Sequence, residues 1–212
     1  MTTQNRPLRI AVLISGGGTT LQNLIRHMDA GQLNVEIPLV ISSGPKAKGK
    51  QFAEEAGIPY EVVRRKSFDD QDAFSRAIFH RCRDVGAELA VMGGFLKRIT
   101  IAKDFVNRVT NIHPALLPSF GGEGMYGHFV HEAVLDSGAK LSGCTVHFAD
   151  NHYDRGPIIV QKAVPVLEDD TPETLAERVF EAECRAYPAA LQLIAEGRVA
   201  VEGRRVRIAP QG

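Results

Sequence analysis

Neither charge nor hydrophobicity is concentrated in this sequence. Lys and Arg together number 25, as do Asp and Glu, so the formal net charge at pH 7 is zero. A chain without a basic excess is not expected to take a nucleic-acid backbone or an anionic membrane as its main partner. No apolar run approaches the roughly 20 residues of a transmembrane helix. The run IAVLI, preceded by Arg6 and Arg9, is too short for a secretory signal. We expect a cytoplasmic protein that binds neither nucleic acid nor membrane.

Cysteine is scarce as well. The three cysteines, Cys82, Cys144 and Cys184, are far apart in sequence and lack the spacing of metal ligands. An odd, scattered set does not predict a disulfide framework and favours reduced core thiols. Of the 212 residues, 44% are hydrophobic and 24% are charged, which is typical of a globular protein with a substantial core.

The order of apolar segments predicts an α/β fold. Short apolar runs such as LRIAVLI (Leu8–Ile14) alternate with stretches of helical periodicity throughout the first half. This alternation favours an open, mostly parallel twisted sheet with helices on both faces and a Rossmann-like N-terminal half. The second half adds a Gly-rich loop, two strands, a long helix near 172–196 and a hairpin turning at 202–203. We expect a single domain, 1–212, with halves 1–108 and 109–212.

Two glycine-containing loops follow predicted strands. ISGGGTT (Ile14–Thr20) joins the first strand to the first helix, where backbone N–H groups and the helix N-terminus favour a phosphate. A tight turn with a threonine cap explains the same residues, and both interpretations stay open. GPKAKGKQ (Gly44–Gln51) approaches a Walker A motif, but Pro45 lacks an N–H and Gln51 replaces the hydroxyl that holds Mg²⁺. We interpret it as a lysine-bearing surface loop without an ATP site.

The segment VTNIHPALLPSF (Val109–Phe120) places two polar side chains in an apolar strand. Asn111 and His113 lie two residues apart and therefore share a face, and Pro114 ends the strand at its carboxyl edge. Ligands of open parallel sheets bind at that edge. A histidine tied to a neighbouring carbonyl explains His113 about as well as a catalytic one does. Asp154, in ADNHYDRGPII, is a carboxylate that could orient a working histidine.

Together these motifs resemble the folate-dependent formyltransferase family. The resemblance is carried by NIHPALLPSF, GGFLKRI, TVHF, YDRGPIIVQ and ISGGGTTLQNLI, and extends from about Arg9 to Gly197. Members with this opening motif and length transfer a formyl group from 10-formyltetrahydrofolate to the primary amine of glycinamide ribonucleotide in de novo purine biosynthesis. The resemblance therefore implies a one-carbon transferase with two small-molecule substrates, no metal, and a monomeric or weakly dimeric state.

By this resemblance, Asn111, His113 and Asp154 match the family's catalytic residues. The amine attacks the formyl carbon, and protonated His113 and the Asn111 amide are expected to donate to the developing oxyanion. Asp154 is expected to raise the pKa of His113 through ion pairing and to assist proton transfer from the amine.

The resemblance also implies binding roles for both halves, with nucleotide and phosphate bound by 1–108 and with catalysis and folate binding in 109–212. The expected ribonucleotide contacts are Gly18, Thr19, Thr20 and Glu183. The expected folate contacts are Leu96, Lys97, Arg98, Ile99 and Asn111.

Some features leave alternatives open. Gln71 stands where some members have a folate-contacting arginine, and Gly121–Phe129 replaces a shorter family segment. His147 in TVHF is interpreted as structural support. The alternatives for function are the longer relatives that formylate methionyl-tRNA or hydrolyse formyltetrahydrofolate, and a non-catalytic nucleotide- or folate-binding module.

Overall fold

The computed structural model describes residues 6–211. Its internal contacts divide the chain into a first unit that ends at Thr110 and a second unit that begins at Asn111. Within the described residues, no helix is both long and apolar enough to cross a membrane. The organisation of the chain as a single domain stays a prediction.

The first unit is a parallel sheet with its connecting helices. Four strands lie in the order β3-β2-β1-β4, and the pairings of β1 with β2 and β4 and of β2 with β3 are all parallel. The strands are β1 (Leu8–Ile14), β2 (Val35–Ser42), β3 (Tyr60–Val62) and β4 (Leu89–Met92), and the helices are α1 (Thr19–Asp29), α2 (Gly49–Glu55) and α3 (Gln71–Asp84). The nearly continuous apolar sequence of β1 follows from its central place, since Ile10–Ile14 is fully buried.

The second unit combines a smaller set of strands with two helices and a hairpin. Its strands lie in the order β5-β6-β7, and β6 and β7 pair antiparallel. The elements are β5 (Val109–His113), whose first two residues belong to the first unit, α4 (His128–Asp136), β6 (Leu141–Phe148), β7 (Ile158–Pro165), α5 (Pro172–Ala195) and the hairpin β8 (Val199–Glu202) and β9 (Arg205–Ile208). The predicted α/β class with a mostly parallel sheet is confirmed.

Strand β6 begins earlier than its apolar pattern indicates. The sequence favours a start at Cys144, whereas the strand begins at Leu141. The additional residues include Gly143, where a Cβ would overlap the carbonyl of Lys162 on β7. A close approach between two antiparallel strands therefore requires glycine there, and glycine weakens the sequence signal of a strand.

A buried threonine fixes the segment that follows β5. The Thr145 hydroxyl donates to the carbonyl of Ala115 (2.7 Å) and accepts from the N–H of Leu117 (3.0 Å). The side-chain amide of Gln161 donates to the Leu117 carbonyl (2.9 Å) and to Thr145 (3.0 Å). Strands β6 and β7 thus hold the chain immediately after His113, where the candidate site begins.

Candidate active site

His113 is the last residue of β5 and only 3% exposed. Its Nε2 lies 2.8 Å from the carbonyl oxygen of Phe120, and its Nδ1 lies 3.6 Å from Oδ2 of Asp154. A carbonyl only accepts hydrogen bonds, so Nε2 carries a hydrogen. Both ring nitrogens therefore face acceptors, a carbonyl oxygen and a carboxylate oxygen. The tie to a neighbouring carbonyl, which the structural interpretation of His113 predicts, and a nearby carboxylate, which a catalytic histidine would use, are both present.

Asp154 is held in an unusual backbone conformation beside two glycines. Its φ is 53°, in the left-handed region, and its Oδ2 accepts the N–H of Gly122 at 2.9 Å. A Cβ on Gly121 would lie 2.5 Å from Cδ2 of Leu117 and 3.2 Å from Cβ of Asp154. A non-glycine residue in this region carries a strain of about 1 kcal/mol or more, which the surroundings must support. The Gly-rich loop therefore gives room and a hydrogen bond to the carboxylate.

The tautomer of His147 determines how the Asn111 amide is presented. His147 is 2% exposed, and burial lowers its pKa, which favours the neutral ring. Its Nδ1 lies 2.9 Å from its neighbour's carbonyl, at Phe148, so Nδ1 carries the hydrogen and Nε2 can only accept. Nδ2 of Asn111 lies 3.4 Å from that Nε2 and points one N–H at it. Within residues 6–211 the second N–H of the amide has no acceptor, so it is available to a ligand.

His147 thus belongs to the cluster, although the sequence interpretation placed it as structural support. Its Nε2 also lies 3.7 Å from Oδ1 of Asp154, so that this carboxylate stands between two histidines. The sequence holds one signal for this placement of His147: strand periodicity puts it on the same face of β6 as Thr145. Within residues 6–211, no group of three or more His, Cys, Asp or Glu side chains has the arrangement of a metal site.

Glu183 is a half-buried carboxylate on α5. Burial raises its pKa to about 7. Burial also raises the pKa of the Cys144 thiol to about 12, with a further contribution from the negative charge of Glu183. In the part of the chain that the structure describes, Glu183 forms no hydrogen bond or ion pair. A carboxylate left in this state is a candidate for ligand binding.

The glycine loop before α1 has one glycine with a packing role. Gly18, with φ of 74°, is the N-cap, and a Cβ there would overlap Cα of Gly49. The alternative interpretation of this loop, a turn with a threonine cap, is therefore wrong about the cap, because Thr19 is already the first helical residue and α1 begins without any side-chain cap. Gly49, part of the Walker-like loop, serves this contact between two helix starts. The unbonded N–H groups of α1 remain suited to an anion.

The predicted folate segment, 96–99, lies between β4 and β5. The N–H of Leu96 donates to the hydroxyl of Ser15 at 2.8 Å, which ties the segment to the end of β1. Leu96 is 61% exposed, whereas Ile99 is buried. Gln71 stands where some family members have a folate-contacting arginine. Its side-chain amide donates to Thr100 at 3.1 Å, so it has a partner within the protein.

Comparisons with known proteins identify the family. Residues 8–191 match the model of the family described as formyl transferase. The crystal structure of glycinamide ribonucleotide transformylase 1 from Symbiobacterium toebii is 40% identical, with a TM-score of 0.92, and the match covers 98% of this chain and 96% of that one.

Two curated relatives have longer chains. Phosphoribosylglycinamide formyltransferase from Arabidopsis thaliana, a chloroplastic protein, is 38% identical over 92% of this chain and 68% of its own length. The trifunctional purine biosynthetic protein adenosine-3 of Gallus gallus is 42% identical over 93% of this chain, which spans 19% of that protein. Because the family model matches most of its length, this chain belongs to the formyl transferase family.

Proposed function

We propose that the chain transfers a formyl group from 10-formyltetrahydrofolate to the primary amine of glycinamide ribonucleotide, a step of de novo purine biosynthesis. The observation that carries the proposal is the match to a glycinamide ribonucleotide transformylase along nearly the full length of both chains. The polar cluster of the second unit supplies groups suited to this reaction.

In the proposed reaction, the amine nitrogen bonds to the formyl carbon and negative charge develops on the formyl oxygen. Nδ1 of His113 lies 3.6 Å from Asp154, longer than a hydrogen bond, so its N–H is available to that oxygen while the carboxylate stabilises the imidazolium. The N–H of Asn111 that does not face His147 is the second donor. In other enzymes, loss of one such donor lowers kcat about 10²- to 10³-fold.

Asp154 is proposed to accept the proton that the attacking amine loses, directly or through water. Collapse of the tetrahedral intermediate then breaks the bond from the formyl carbon to N10 of the folate, and that nitrogen takes up a proton. The carboxylate is suited to this task because, among residues 6–211, no group donates a hydrogen bond to its Oδ1; the nearby Nε2 of His147, at 3.7 Å, only accepts. The chain thus supplies an acid and a base at one place.

Binding roles are proposed for residues of each unit. The uncapped N-terminus of α1, with Gly18, Thr19 and Thr20, would bind the ribonucleotide phosphate. The unpaired Glu183 would accept hydrogen bonds from the same substrate. Residues 96–99 and Asn111 would contact the folate. We further propose a cytoplasmic monomer or weak dimer that needs no metal.

The test is a comparison of formyl acceptors with the purified chain. Glycinamide ribonucleotide, methionyl-tRNA and water alone are each supplied with 10-formyltetrahydrofolate, and release of tetrahydrofolate is followed. We expect rapid release only with the ribonucleotide. Equal release in water alone would indicate a hydrolase, and folate binding without turnover on any acceptor would indicate a non-catalytic module.

A further inference from the structure

Both residues that face the ring nitrogens of His113 have a left-handed backbone conformation. Among residues 6–211, three residues other than glycine have a positive φ: Asn107 (56°), Phe120 (53°) and Asp154 (53°). Asparagine and aspartate adopt this region several times more often than other residues, whereas a bulky side chain there is an outlier. Phe120 is therefore the exceptional member of the three, and it contacts His113.

Phe120 acts on His113 through its backbone. Its carbonyl oxygen lies 2.8 Å from Nε2 of the imidazole. The peptide group is planar, so the direction of a carbonyl follows from the φ and ψ angles of its residue. A return of Phe120 to negative φ would turn this carbonyl away from the ring. The half-buried side chain takes no part in the hydrogen bond.

The same short segment holds the partner of the other ring nitrogen. The N–H of Gly122 donates to Oδ2 of Asp154 at 2.9 Å, and that oxygen lies 3.6 Å from Nδ1 of His113. Gly121 gives the segment little freedom to move, because a Cβ there would already lie 2.5 Å from a neighbouring leucine side chain. Residues 120–122 thus fix an acceptor on each side of the imidazole, one directly and one through the carboxylate.

We propose that Phe120 is a positioning residue for His113, an inference that rests on the proposed function. Its left-handed backbone aims the carbonyl at Nε2, which keeps the imidazole from turning over and leaves Nδ1 for the formyl oxygen. Backbone strain of this kind persists only where the surrounding structure supports it, and it is concentrated at functional sites. The side chain supplies no chemistry, so a different residue that readily adopts the left-handed conformation should serve at this position.

The test sets the backbone preference of position 120 against its apolar character. Valine branches at Cβ and resists the left-handed region more than phenylalanine does, whereas asparagine is among the residues that adopt it most readily. We expect Phe120→Val to lower kcat for formyl transfer about 10- to 100-fold, as a displaced catalytic group does, with the KM of each substrate nearly unchanged. Phe120→Asn should lose about threefold at most. A role in packing alone predicts the reverse order, because valine preserves apolar contacts that asparagine loses.

Asn107 supplies a matched control. It has the same left-handed conformation, is exposed, and precedes β5, whereas His113 is the last residue of that strand. Asn107→Val imposes the same backbone conflict without touching the partners of His113, so it should lower Tm and leave kcat at the wild-type value. A fall in kcat as large as that of Phe120→Val would show that general destabilisation causes both losses, and would overturn the proposal.

A measurement without turnover separates this inference from the proposed function. The Nε2–H proton of His113 should give an NMR signal protected from exchange with water in the wild type and in Phe120→Asn, and the signal should be lost in Phe120→Val. A folded Phe120→Val variant that keeps the signal or its kcat would overturn the proposal, as would a Phe120→Asn variant equally impaired. A wild type with the signal but without formyl transfer would contradict the proposed function and not the positioning of the ring.

Discussion

Two aspartates of the second unit are held in opposite ways. Asp170, whose side chain is 3% exposed, accepts two hydrogen bonds from Arg178 (2.6 and 2.8 Å), one from the Leu167 N–H (2.7 Å) and one from the Thr174 hydroxyl (2.8 Å). The side chain of Asp154 is 12% exposed and accepts a single backbone N–H, at 2.9 Å. The ring nitrogens of the two nearest histidines lie 3.6 and 3.7 Å from its carboxylate oxygens.

The difference separates a carboxylate that stabilises the fold from one available for chemistry. The guanidinium of Arg178 holds the pKa of Asp170 well below its usual range, so this group stays ionised and fully bonded at the start of α5. Asp154 stands in a strained backbone conformation with bonding capacity left over. Strain kept at an incompletely bonded group is typical of functional sites.

Removing the nearest charged partner of Asp154 gives the largest expected effect. His113→Gln keeps a hydrogen-bond donor near Phe120 but removes the imidazolium, so we expect kcat for formyl transfer to fall about 10²- to 10⁴-fold. Steady-state kinetics beside a thermal melt checks this result. A variant that folds and retains more than a tenth of the wild-type kcat would show that His113 is structural.

Displacing Asp154 without changing it is the next largest effect. Gly121→Ala places a methyl group 2.5 Å from Cδ2 of Leu117, which must move, and 3.2 Å from Cβ of Asp154, which must give by a few tenths of an ångström. A displacement of about 1 Å in an active site can cost up to 100-fold, so for this smaller shift we expect a loss of kcat of about tenfold. If kcat were unchanged and a crystal structure of the variant showed Asp154 in its original place, the idea that Gly121 positions this carboxylate would be contradicted.

Asp170→Asn should change stability and leave the chemistry alone. Charged hydrogen bonds at this site lead us to expect a loss of about 2 kcal/mol in the free energy of unfolding at pH 7. Because the folded pKa of Asp170 is lowered, its contribution is present above the unfolded value of about 3.9 and declines as the pH falls. Urea unfolding at pH 7 and pH 3.5 should show the difference between variant and wild type shrinking in acid. An undiminished difference at pH 3.5 would contradict this.

Replacing Glu183 gives the smallest expected effect, and it should raise stability where replacing Asp170 lowers it. Its folded pKa is raised to about 7, so ionisation destabilises the folded state as the pH rises from 4.5 through 7. At pH 8.5, Glu183→Gln should therefore raise Tm and should raise the free energy of unfolding by on the order of 1 kcal/mol. At pH 5 it should leave both unchanged. The same variant should raise the KM for the ribonucleotide. An equal Tm difference at both pH values would refute the burial argument.

Local pattern accounts for much of the fold and for half of the site. The apolar run of β1, the end of β5 at Pro114, and the common face of Asn111 and His113 all follow from residue periodicity and proline geometry. These features depend on neighbours in sequence, so the sequence alone can show them.

The remaining features depend on distances between remote segments. The Phe120 carbonyl becomes the partner of His113 only because the chain after β5 turns back, and Gly121 is required because Leu117 and Asp154 both pack against it. The neutral tautomer of His147 follows from burial and from a carbonyl that only the folded strand presents. No pattern of residue types specifies these contacts.

The most direct test of the account compares Asp154→Asn with Asp170→Asn in one assay of formyl transfer to glycinamide ribonucleotide, with urea unfolding of each variant at pH 7. We predict that Asp154→Asn lowers kcat at least 100-fold and costs little stability, since the lost bonds are few. Asp170→Asn should keep its kcat and lose about 2 kcal/mol of stability. A kcat for Asp154→Asn within threefold of the wild type, in a folded protein, would contradict the role assigned to this carboxylate.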